Sequence, residues 1–572
     1  MEVSNKSPRR LAFVIFLIAL SLRLAAIDHG LPGLYVPDSH SVRNALGMLK
    51  DKNPVPRSNQ YSSYPYLYSY ICIPAFAADY AVARATGRAK SAAEYQQWAT
   101  AHLERFHYIA RIISAFAGAL AAAAAVCAGF YFAGRRAGMF AGLLVSTSPM
   151  FLLLSTHERP WSLVLAFSTI SISGALLYFK TGKLTTLFWS GLAAGAAGGC
   201  HQIGLAAAAI PIAAAWFRDR GFTVTSLVPS VRAAFVGGVG IVIMFLAGNP
   251  YLIRYGLSGG VPTALTKEMT DVSLGGQGFK FDFNAQYTVE ALVGILSMEG
   301  IVCILAIAGA WIYRKERAAW ILLALAVPIV LIFIPYKGTH ARYFMIAFPA
   351  AWILAGAALD AIARRMGIWP AAAILAIPVI LSIRLDQLLL RDDSRNVALA
   401  QIQQIIPAHA KVALEPYGPA IAADTASLER LAALNPLALT QRERMALDRR
   451  SSGGFDILPM ERVCGDATAN RYQLVSALGE QYFPGVKNIP ELLDRANLDY
   501  VVRVERFPQS PRKDPFAAWV EKKGEIAGDW SPAPGRTPAE CLLPFEPRLG
   551  AYALFTVERP GPRIRLYKIR KS

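Results

Sequence analysis

Polar side chains, most of them ionisable, recur at four places where apolar stretches of the sequence end. They are Asp38, His40 and Arg43; His157, Glu158 and Arg159; His201 and Gln202; and Lys337, His340 and Arg342. A carboxylate can accept a proton from an attacking hydroxyl or amine. Arginine, lysine and histidine can hold a phosphate that leaves with growing negative charge. If the four places meet, these residue types fit the transfer of a group from a phosphate to a nucleophile.

The elements that would position these residues are apolar segments. The chain has 572 residues, of which 54% are hydrophobic and only 17% are charged. A soluble protein of this length carries about 25% charged residues. The excess apolar content falls in blocks of roughly 17–25 residues, the length that crosses a bilayer as a helix. The composition therefore predicts an α-helical polytopic membrane protein.

Basic residues indicate which ends of these blocks face the cytoplasm. The formal net charge is +19. The clusters are Lys6 with Arg9 and Arg10; Arg135 and Arg136; Lys180 and Lys183; Arg218 and Arg220; Arg314, Lys315 and Arg317; and Arg364 and Arg365. They lie at alternate ends of successive apolar blocks, as positive charges do on cytoplasmic loops. This pattern accounts for the charge, and without a basic stripe or a known module we expect no nucleic-acid binding.

The alternation predicts about eleven crossings, with the N-terminus inside and the C-terminus outside. They are Leu11–Ile27, Tyr108–Phe132, Ala137–Ser155, Trp161–Phe179, Thr185–Gly199, Leu205–Phe217, Ala233–Ala247, Val289–Tyr313, Ala318–Pro335, Phe344–Ala363 and Ile368–Ile383. We interpret the first as a retained helix, since no small-residue cleavage site follows it. Two long outer loops result, 28–107 and 248–286. The tyrosine-rich segment Tyr61–Tyr80 is interpreted as a helix lying in the membrane interface, where tyrosine is enriched.

The composition changes near residue 385, which divides the chain into a transmembrane domain, 1–384, and an extracytoplasmic domain, 385–572. The stretch "NVALAQIQQIIP" predicts an amphipathic helix that Pro407 ends. The stretches "AKVALEP", "LDYVVRVE" and "RIRLYKI" predict short strands. We therefore expect a small soluble α/β domain on the outer side. Cys464 and Cys541 could form a disulfide there if this side is oxidising.

Each ionisable residue taken alone also fits an ordinary solvated anchor at a helix end. Asp38 and Glu158 together favour a site, because both lie at turns next to lipid with little polar sequence around them. Ionisable residues close to the membrane are costly and tend to be functional. His201 fits either a ligand-binding role or a histidine packed between small-residue helices.

Motifs in a characteristic order then resemble a known family. They are "VPDSHSVRNALGMLKDKNPV", "YPYLYSYICIPAF", "RIISAFAGAL", "THERPWSLVLAF", "SGLAAGAAGGCHQIGLAAAAIP", "GTHARYFMIAFPAAWILAG", "DDSRNVALAQIQQIIPAHAKVALEP" and "GPRIRLYKI". Over nearly its whole length the chain resembles GT-C superfamily glycosyltransferases, of the branch that contains protein O-mannosyltransferases and bacterial aminoarabinose transferases. Ser39 stands where that family often has a second acid, and His201 stands where it often has a lysine.

The resemblance implies a role for each candidate residue. Asp38 would be the general base that activates the acceptor, and Glu158 would be a second catalytic acid that binds acceptor or sugar. Arg342, with Lys337 or His340, would meet the donor phosphate. The remaining candidates for substrate or phosphate binding are His40, Arg43, Arg159 and His201. No cofactor is expected, and Ser39 disfavours a divalent metal.

The implied activity is that of an inverting hexosyl- or pentosyltransferase. It would move a sugar from a polyprenyl-phosphate donor to an envelope glycan, glycolipid or protein at the outer face of a bacterial plasma membrane. Two alternatives remain open: a flippase or transporter for a lipid-linked glycan, and a glycan ligase with a diphosphate-linked donor. A carrier would place its ionisable groups near mid-membrane, whereas here they gather at one rim. The sequence leaves the sugar and the acceptor open.

Overall fold

The computed structural model describes residues 8–36, 39–57, 64–218, 224–255, 283, 285–336, 339–434, 439, 441–448, 453–464, 475–505, 515–535 and 550–571. Asp38, Lys337 and Cys541, and Lys6 and Arg220 of the basic clusters, lie outside the described residues.

Helices dominate the chain up to residue 389. They are α1 Arg9–Ala25, α2 His40–Asp51, α3 Leu67–Ala85, α4 Ala92–Ala101, α5 Leu103–Ala133, α6 Arg135–Ser146, α7 Pro149–Ser155, α8 Trp161–Thr181, α9 Leu184–Cys200, a 3₁₀ turn Gln202–Ala208, α10 Ala209–Arg218, α11 Val224–Gly248, α12 Tyr251–Arg254, α13 Ala285–Ile312, α14 Arg317–Phe333, α15 Ala341–Phe344, a 3₁₀ turn Met345–Ala347, α16 Phe348–Met366 and α17 Ile368–Leu389. Each of the eleven predicted crossings falls on one of these helices or on a consecutive pair.

Length and composition identify the strongest membrane spans among the described residues. Six helices are long and apolar enough to cross, and a seventh span results if α6 and α7, bent by 58°, count as one. The predicted class, a helical multi-pass membrane protein with a small sheet, is confirmed. The count of eleven crossings stays a prediction. The interfacial position of α3 also stays a prediction, although α3 is not among the six.

Small residues allow α9 and α11 to pack closely. A Cβ atom placed on Gly191 would lie 2.0 Å from the carbonyl oxygen of Gly237, and one on Gly195 would lie 2.2 Å from that of Ile241. Small side chains at such spacings let two backbones approach inside a membrane, where dispersion contacts drive association. The glycine-rich run "SGLAAGAAGGC" therefore fixes the helix that ends at His201.

Glu299, on α13, forms hydrogen bonds at the break between α6 and α7. The Ser148 hydroxyl donates to Glu299 Oε1 at 2.6 Å, and the Met150 backbone N–H donates to the same oxygen at 3.0 Å. The first N–H groups of a helix have no partner within the helix. Glu299, which is buried, therefore caps α7 from a neighbouring helix, and α7 leads directly into the turn 156–160.

Glu299→Ala should destabilise the membrane domain by about 1–3 kcal/mol, because it leaves buried donors unsatisfied. Glu299→Gln keeps an acceptor oxygen and should lose less. Thermal unfolding in detergent measures both. The neighbouring Gly300 is the control, since its Cβ would meet open space; Gly300→Ala should leave stability unchanged or raise it slightly. Equal unfolding temperatures for Glu299→Ala and wild type would contradict the capping role.

The chain beyond residue 389 forms one five-stranded sheet with helices around it. The elements are α18 Ser394–Ile405, β1 Lys411–Leu414, α19 Thr425–Leu434, α20 Gln441–Asp448, β2 Asp456–Pro459, α21 Met460–Val463, α22 Ala477–Tyr482, α23 Ile489–Ala496, β3 Tyr500–Glu505, α24 Pro515–Lys523, β4 Gly524–Trp530, α25 Ala551–Thr556 and β5 Arg563–Ile569. The strand order is β2-β1-β3-β5-β4. The predicted helix and three predicted strands are confirmed as α18, β1, β3 and β5.

The sheet contains both parallel and antiparallel strand pairs. Strands β1, β2 and β3 are parallel, and β5 runs antiparallel to both β3 and β4. The first five residues of β3 are buried, as expected for a central strand covered on both faces. Cys464 is also buried. The division at residue 384 stays a prediction, and α17 continues past it to Leu389.

Direct hydrogen bonds join the sheet-containing part to the membrane helices. Arg384 Nε donates to the carbonyl oxygen of Leu554 at 2.8 Å, and the backbone N–H of Ala551 donates to Ser297 Oγ at 3.1 Å. The short helix α25 therefore rests on α17 and α13.

Candidate active site

Glu158 lies at the centre of a buried polar cluster at one end of the helices. Its Oε1 accepts from His107 Nδ1 at 2.7 Å, and its Oε2 accepts from Arg111 Nε at 2.7 Å. The side chains of Glu158 and Arg111 are each only 1% exposed. Both donors come from α5, one helical turn apart, so α5 presents them on one face. These two hydrogen bonds therefore hold the turn between α7 and α8 against α5.

Arg111 also reaches the first outer loop. Its Nη1 donates to the carbonyl oxygens of Ile27 at 3.1 Å and His29 at 2.8 Å. One guanidinium therefore joins the segment that leaves α1 to the acidic turn. Five donors in a rigid planar fork suit arginine to such a junction.

His29 and His157 complete this rim cluster, which we define as His29, His107, Arg111, His157 and Glu158. The Nε2 atoms of His29 and His157 lie 3.1 Å apart. Burial, with repulsion from Arg111, lowers the pKa of His29 to about 3. Burial, with the neighbouring His29 and Arg111, holds the pKa of His157 well below its ordinary value.

The ionisation of Glu158 decides what it can do chemically. Burial alone would raise its pKa, but Arg111 and the hydrogen bond from His107 outweigh burial and hold the pKa well below the ordinary value. A carboxylate with a strongly lowered pKa is a weak base, because catalysis favours a base whose pKa lies near the working pH. The geometry therefore fits Glu158 as a fixed anion that holds the turn.

A chain of aromatic and histidine rings runs beside the rim cluster. Its members, with centroid separations in brackets, are His40 to Tyr64 (4.7 Å), Tyr64 to His201 (5.0 Å), His201 to Trp161 (4.8 Å), Trp161 to Tyr343 (5.8 Å) and Tyr343 to His340 (5.3 Å). This ring chain joins all four places where the sequence puts ionisable residues. Trp161 stands three residues after Glu158, so the ring chain and the rim cluster share one turn.

The structure brings together most of the predicted site residues that it describes. Arg342 is half-buried, with its guanidinium carbon 5.2 Å from the centre of the Tyr343 ring. Arg159 is buried within the acidic turn. His201 is buried, and its Nδ1 accepts from the Ile203 backbone N–H at 3.3 Å. Arg43 is exposed on α2, and no contact among the described residues joins it to the ring chain.

Sequence reasoning missed His29, His107, Arg111, Tyr64 and Trp161. The sequence contains a signal for two of these residues. His107 and Arg111 are four residues apart at the start of an apolar helix, which places both on one face, and such polar pairs next to lipid are costly. The partners of Arg111 could not be read from the sequence, because they are backbone carbonyl oxygens 82 and 84 residues away.

Among the described residues, no group of three or more His, Cys, Asp or Glu side chains could hold a metal ion. Asp38 is not one of the described residues. The expectation that no metal is needed therefore stays a prediction.

The sequence matches no protein-family model and no curated protein. Solved structures are similar to the chain at low identity. ArnT from Cupriavidus metallidurans in the apo state gives a TM-score of 0.49 at 14% identity, over 91% of this chain and 97% of that one. The same protein bound to undecaprenyl phosphate gives 0.46 at 16% identity, over 75% and 89%.

Two further structures are similar over different lengths. The Archaeoglobus fulgidus oligosaccharyltransferase tethered with an acceptor peptide gives a TM-score of 0.43 at 12% identity, over 86% of this chain and 69% of that one. Arabinofuranosyltransferase AftD from Mycobacteria gives 0.41 at 12% identity, over 100% of this chain and 40% of that one. These proteins are GT-C glycosyltransferases, the class that the sequence motifs resemble. All four TM-scores lie below 0.5.

Proposed function

We propose that the chain transfers a sugar from a polyprenyl-phosphate donor to an envelope acceptor at the outer face of the membrane. The observation that carries this proposal is the ring chain. It brings the first outer loop, the acidic turn, the end of α9 and the segment 340–343 to one place at one rim of the helices. Acceptor-activating and phosphate-binding residues stand in those same segments.

The roles follow the chemistry of glycosyl transfer. Asp38, two residues before His40 in the sequence, takes the proton from the acceptor hydroxyl or amine as that atom bonds to the anomeric carbon. The bond from the anomeric carbon to the phosphate oxygen breaks, and its electron pair leaves with polyprenyl phosphate. Arg342, with Lys337 or His340, stabilises this phosphate. Attack opposite the leaving group inverts the configuration at the anomeric carbon.

Glu158 takes a positioning role in this scheme rather than that of a base. Its two oxygens are engaged by His107 and Arg111, and it is buried. Arg159 follows Glu158 in the sequence, and the His201 ring lies 4.8 Å from that of Trp161. Both supply hydrogen bonds to sugar or phosphate, together with His40. Arg43 contributes positive charge at the entrance from solvent.

Arg342→Gln should weaken donor binding by about ten- to a hundredfold, the loss expected for a hydrogen bond of about 1.5–3 kcal/mol to a charged group. Binding of a labelled polyprenyl-phosphate sugar to the purified chain measures this. Arg314→Gln serves as the control, because the Arg314 guanidinium also lies over an aromatic ring but is exposed at the opposite helix ends. Equal losses in both variants would contradict a specific phosphate contact.

The proposed setting is a bacterial inner membrane. The N-terminus would be cytoplasmic, and residues 385–572 would form an extracytoplasmic domain above the site. A hydroxyl- or amine-bearing glycan, glycolipid or protein would serve as acceptor. The positive-inside distribution of basic residues supports this orientation.

Transfer by the purified chain in lipid vesicles tests the proposal against its alternatives. Labelled polyprenyl-phosphate sugars, matching diphosphate-linked sugars and a crude envelope extract are offered in parallel. We expect transfer from a monophosphate donor only. Transfer from diphosphate donors alone would indicate the ligase, and movement of lipid-linked glycan across the bilayer without transfer would indicate the flippase; either result would overturn the proposal.

A further inference from the structure

A cavity of about 390 Å³ lies in the sheet-containing part, away from the rim cluster. It opens where β1 and β2 end, between the segment 414–423 and the start of α21. Pockets for small ligands commonly measure about 300–1,000 Å³. The cavity is therefore large enough for a small molecule.

Sheet topology explains why a cavity forms here. The chain passes from β1 to β2 on one side of β1 and then to β3 on its other side, and all three strands are parallel. The connections that follow β1 and β2 therefore diverge at the carboxyl ends of the strands. In open α/β sheets, ligands bind in the crevice at such a switch point.

The backbone of Tyr417 is a second, independent sign of a site. Tyr417 has φ +62°, a conformation that is rare for bulky side chains. Such residues cluster at ligand-binding positions, where the surrounding structure stabilises the strain. The Tyr417 side chain lines the cavity and is 43% exposed. An aromatic face is thus presented to a ligand.

The charged groups of the lining select the class of ligand. Glu415, Glu443, Glu461 and Arg462 line the cavity, and Arg462 Nη2 pairs with both Glu443 oxygens at 3.1 Å. Glu415 accepts from the Val504 backbone N–H at 2.5 Å and lies 3.8 Å from Arg503 Nε. Glu461, which is exposed, therefore adds negative charge beyond these two ion pairs, which disfavours phosphate and acidic sugars. A carboxylate acceptor beside an aromatic ring suits a neutral or amine-bearing sugar, which donates through hydroxyl or ammonium groups and stacks its C–H face on the ring.

The cavity wall is connected to the first outer loop. The backbone of Ala420, in the wall, lies near the Tyr35 hydroxyl, and that hydroxyl donates to Asn396 Oδ1 at 2.8 Å. Tyr35 precedes Asp38 by three residues. A ligand in the cavity would therefore lie beside the segment that leads to the proposed base.

We infer that this cavity binds a neutral or amine-bearing sugar unit of the acceptor, at a distance from the unit that is modified. The inference rests on the proposed function, because only glycosyl transfer requires an acceptor. It makes the acceptor a glycan or glycolipid with at least one sugar beyond the point of attack. The contact would lower the KM for acceptor without taking part in bond making.

Binding can be measured separately from transfer. The full chain in lipid nanodiscs is titrated with the methyl glycosides of glucose, mannose and glucosamine, and with glucuronate and inorganic phosphate, by saturation-transfer NMR. At least one of the three methyl glycosides should bind, and more tightly than glucuronate or phosphate.

Tyr417→Ala and Glu461→Gln should each weaken binding about tenfold, equivalent to about 1.4 kcal/mol. Tyr417→Phe, which keeps the ring, and Glu525→Gln, on the far strand β4, should leave binding unchanged.

The outcomes separate the inference from the proposed function. Asp38→Asn should bind the methyl glycoside as wild type does. No binding of the three glycosides, tighter binding of glucuronate or phosphate, or binding that Tyr417→Ala leaves intact would overturn the inference, even if the wild type transfers sugar. A wild type that binds glycosides through Tyr417 but transfers no sugar would overturn the proposed function instead.

Discussion

Arg111→Met should destabilise the chain by about 3–5 kcal/mol, because it leaves the Glu158 carboxylate buried without its cationic partner. The two side chains are each 1% exposed and lie 2.7 Å apart. The same change removes the donor to the carbonyl oxygens of Ile27 and His29. Transfer activity should therefore disappear along with stability. Thermal unfolding in detergent and expression level measure the first effect.

The double variant Arg111→Met/Glu158→Gln distinguishes a charge effect from a packing effect. Removing both charges should recover most of the lost stability, since a neutral pair of similar volume avoids the uncompensated charge. The sum of the two single effects should exceed the effect of the double variant by at least about 1 kcal/mol. Strict additivity would contradict a direct coupling of Arg111 and Glu158.

The same pair predicts a pH dependence. The folded-state pKa of Glu158 lies below its unfolded value of about 4.3. The stabilisation is therefore present above that unfolded value and is lost as the pH falls through the lower folded value. Wild type should lose more stability on acidification than Glu158→Gln does. Parallel acid unfolding curves would show that Glu158 is not held ionised.

Gly33→Ala should reduce transfer by about a hundredfold through displacement of the first outer loop. A Cβ atom on Gly33 would lie 2.2 Å from atoms of the Tyr35 ring. That ring cannot move freely, since the Arg395 guanidinium carbon lies 3.8 Å from its centre and its hydroxyl donates to Asn396. The loop must shift instead, and displacement of a reacting group by about 1 Å can cost about 10²-fold. Initial rates of sugar transfer measure the change.

Gly238→Ala is the matched control, because a Cβ there would meet open space on α11. It should leave transfer unchanged. Tyr35→Phe removes only the hydroxyl and should cost about 1 kcal/mol of stability with a smaller loss of activity than Gly33→Ala. Full activity in Gly33→Ala would show that the segment from Gly33 to Tyr35 does not position the site.

Local sequence patterns were sufficient to predict the helices and several of the strands. An apolar run of about 20 residues has few alternatives to a helix, because backbone groups in lipid must be satisfied within the segment. The β-branched run of β3 likewise predicts a buried strand. A charged turn between two apolar helices has to find partners, and Glu158 finds them in His107 and Arg111; its part in catalysis stays a prediction.

Contacts that depend on tertiary geometry could not be read from the sequence. Glu299 lies within an apolar helix, and nothing local shows that its carboxylate caps α7 from 149 residues away. The ring chain depends on how four connections between helices converge. The rotation of each helix about its axis determines that convergence. The order of strands in the sheet, with β1 between β2 and β3, is equally non-local. The cavity at the ends of β1 and β2 follows only from that order.

Donor binding and sugar transfer, measured side by side on wild type and Asp38→Asn, test the central claim most directly. Both proteins are reconstituted in lipid with the same labelled polyprenyl-phosphate sugar. If Asp38 is the base of a transferase whose cations hold the phosphate, Asp38→Asn should keep the wild-type affinity for donor. Its transfer rate should fall by about 10²–10⁴-fold, the contribution of a general base. Transfer at the wild-type rate by Asp38→Asn, or no transfer by the wild type from any such donor, would contradict the account.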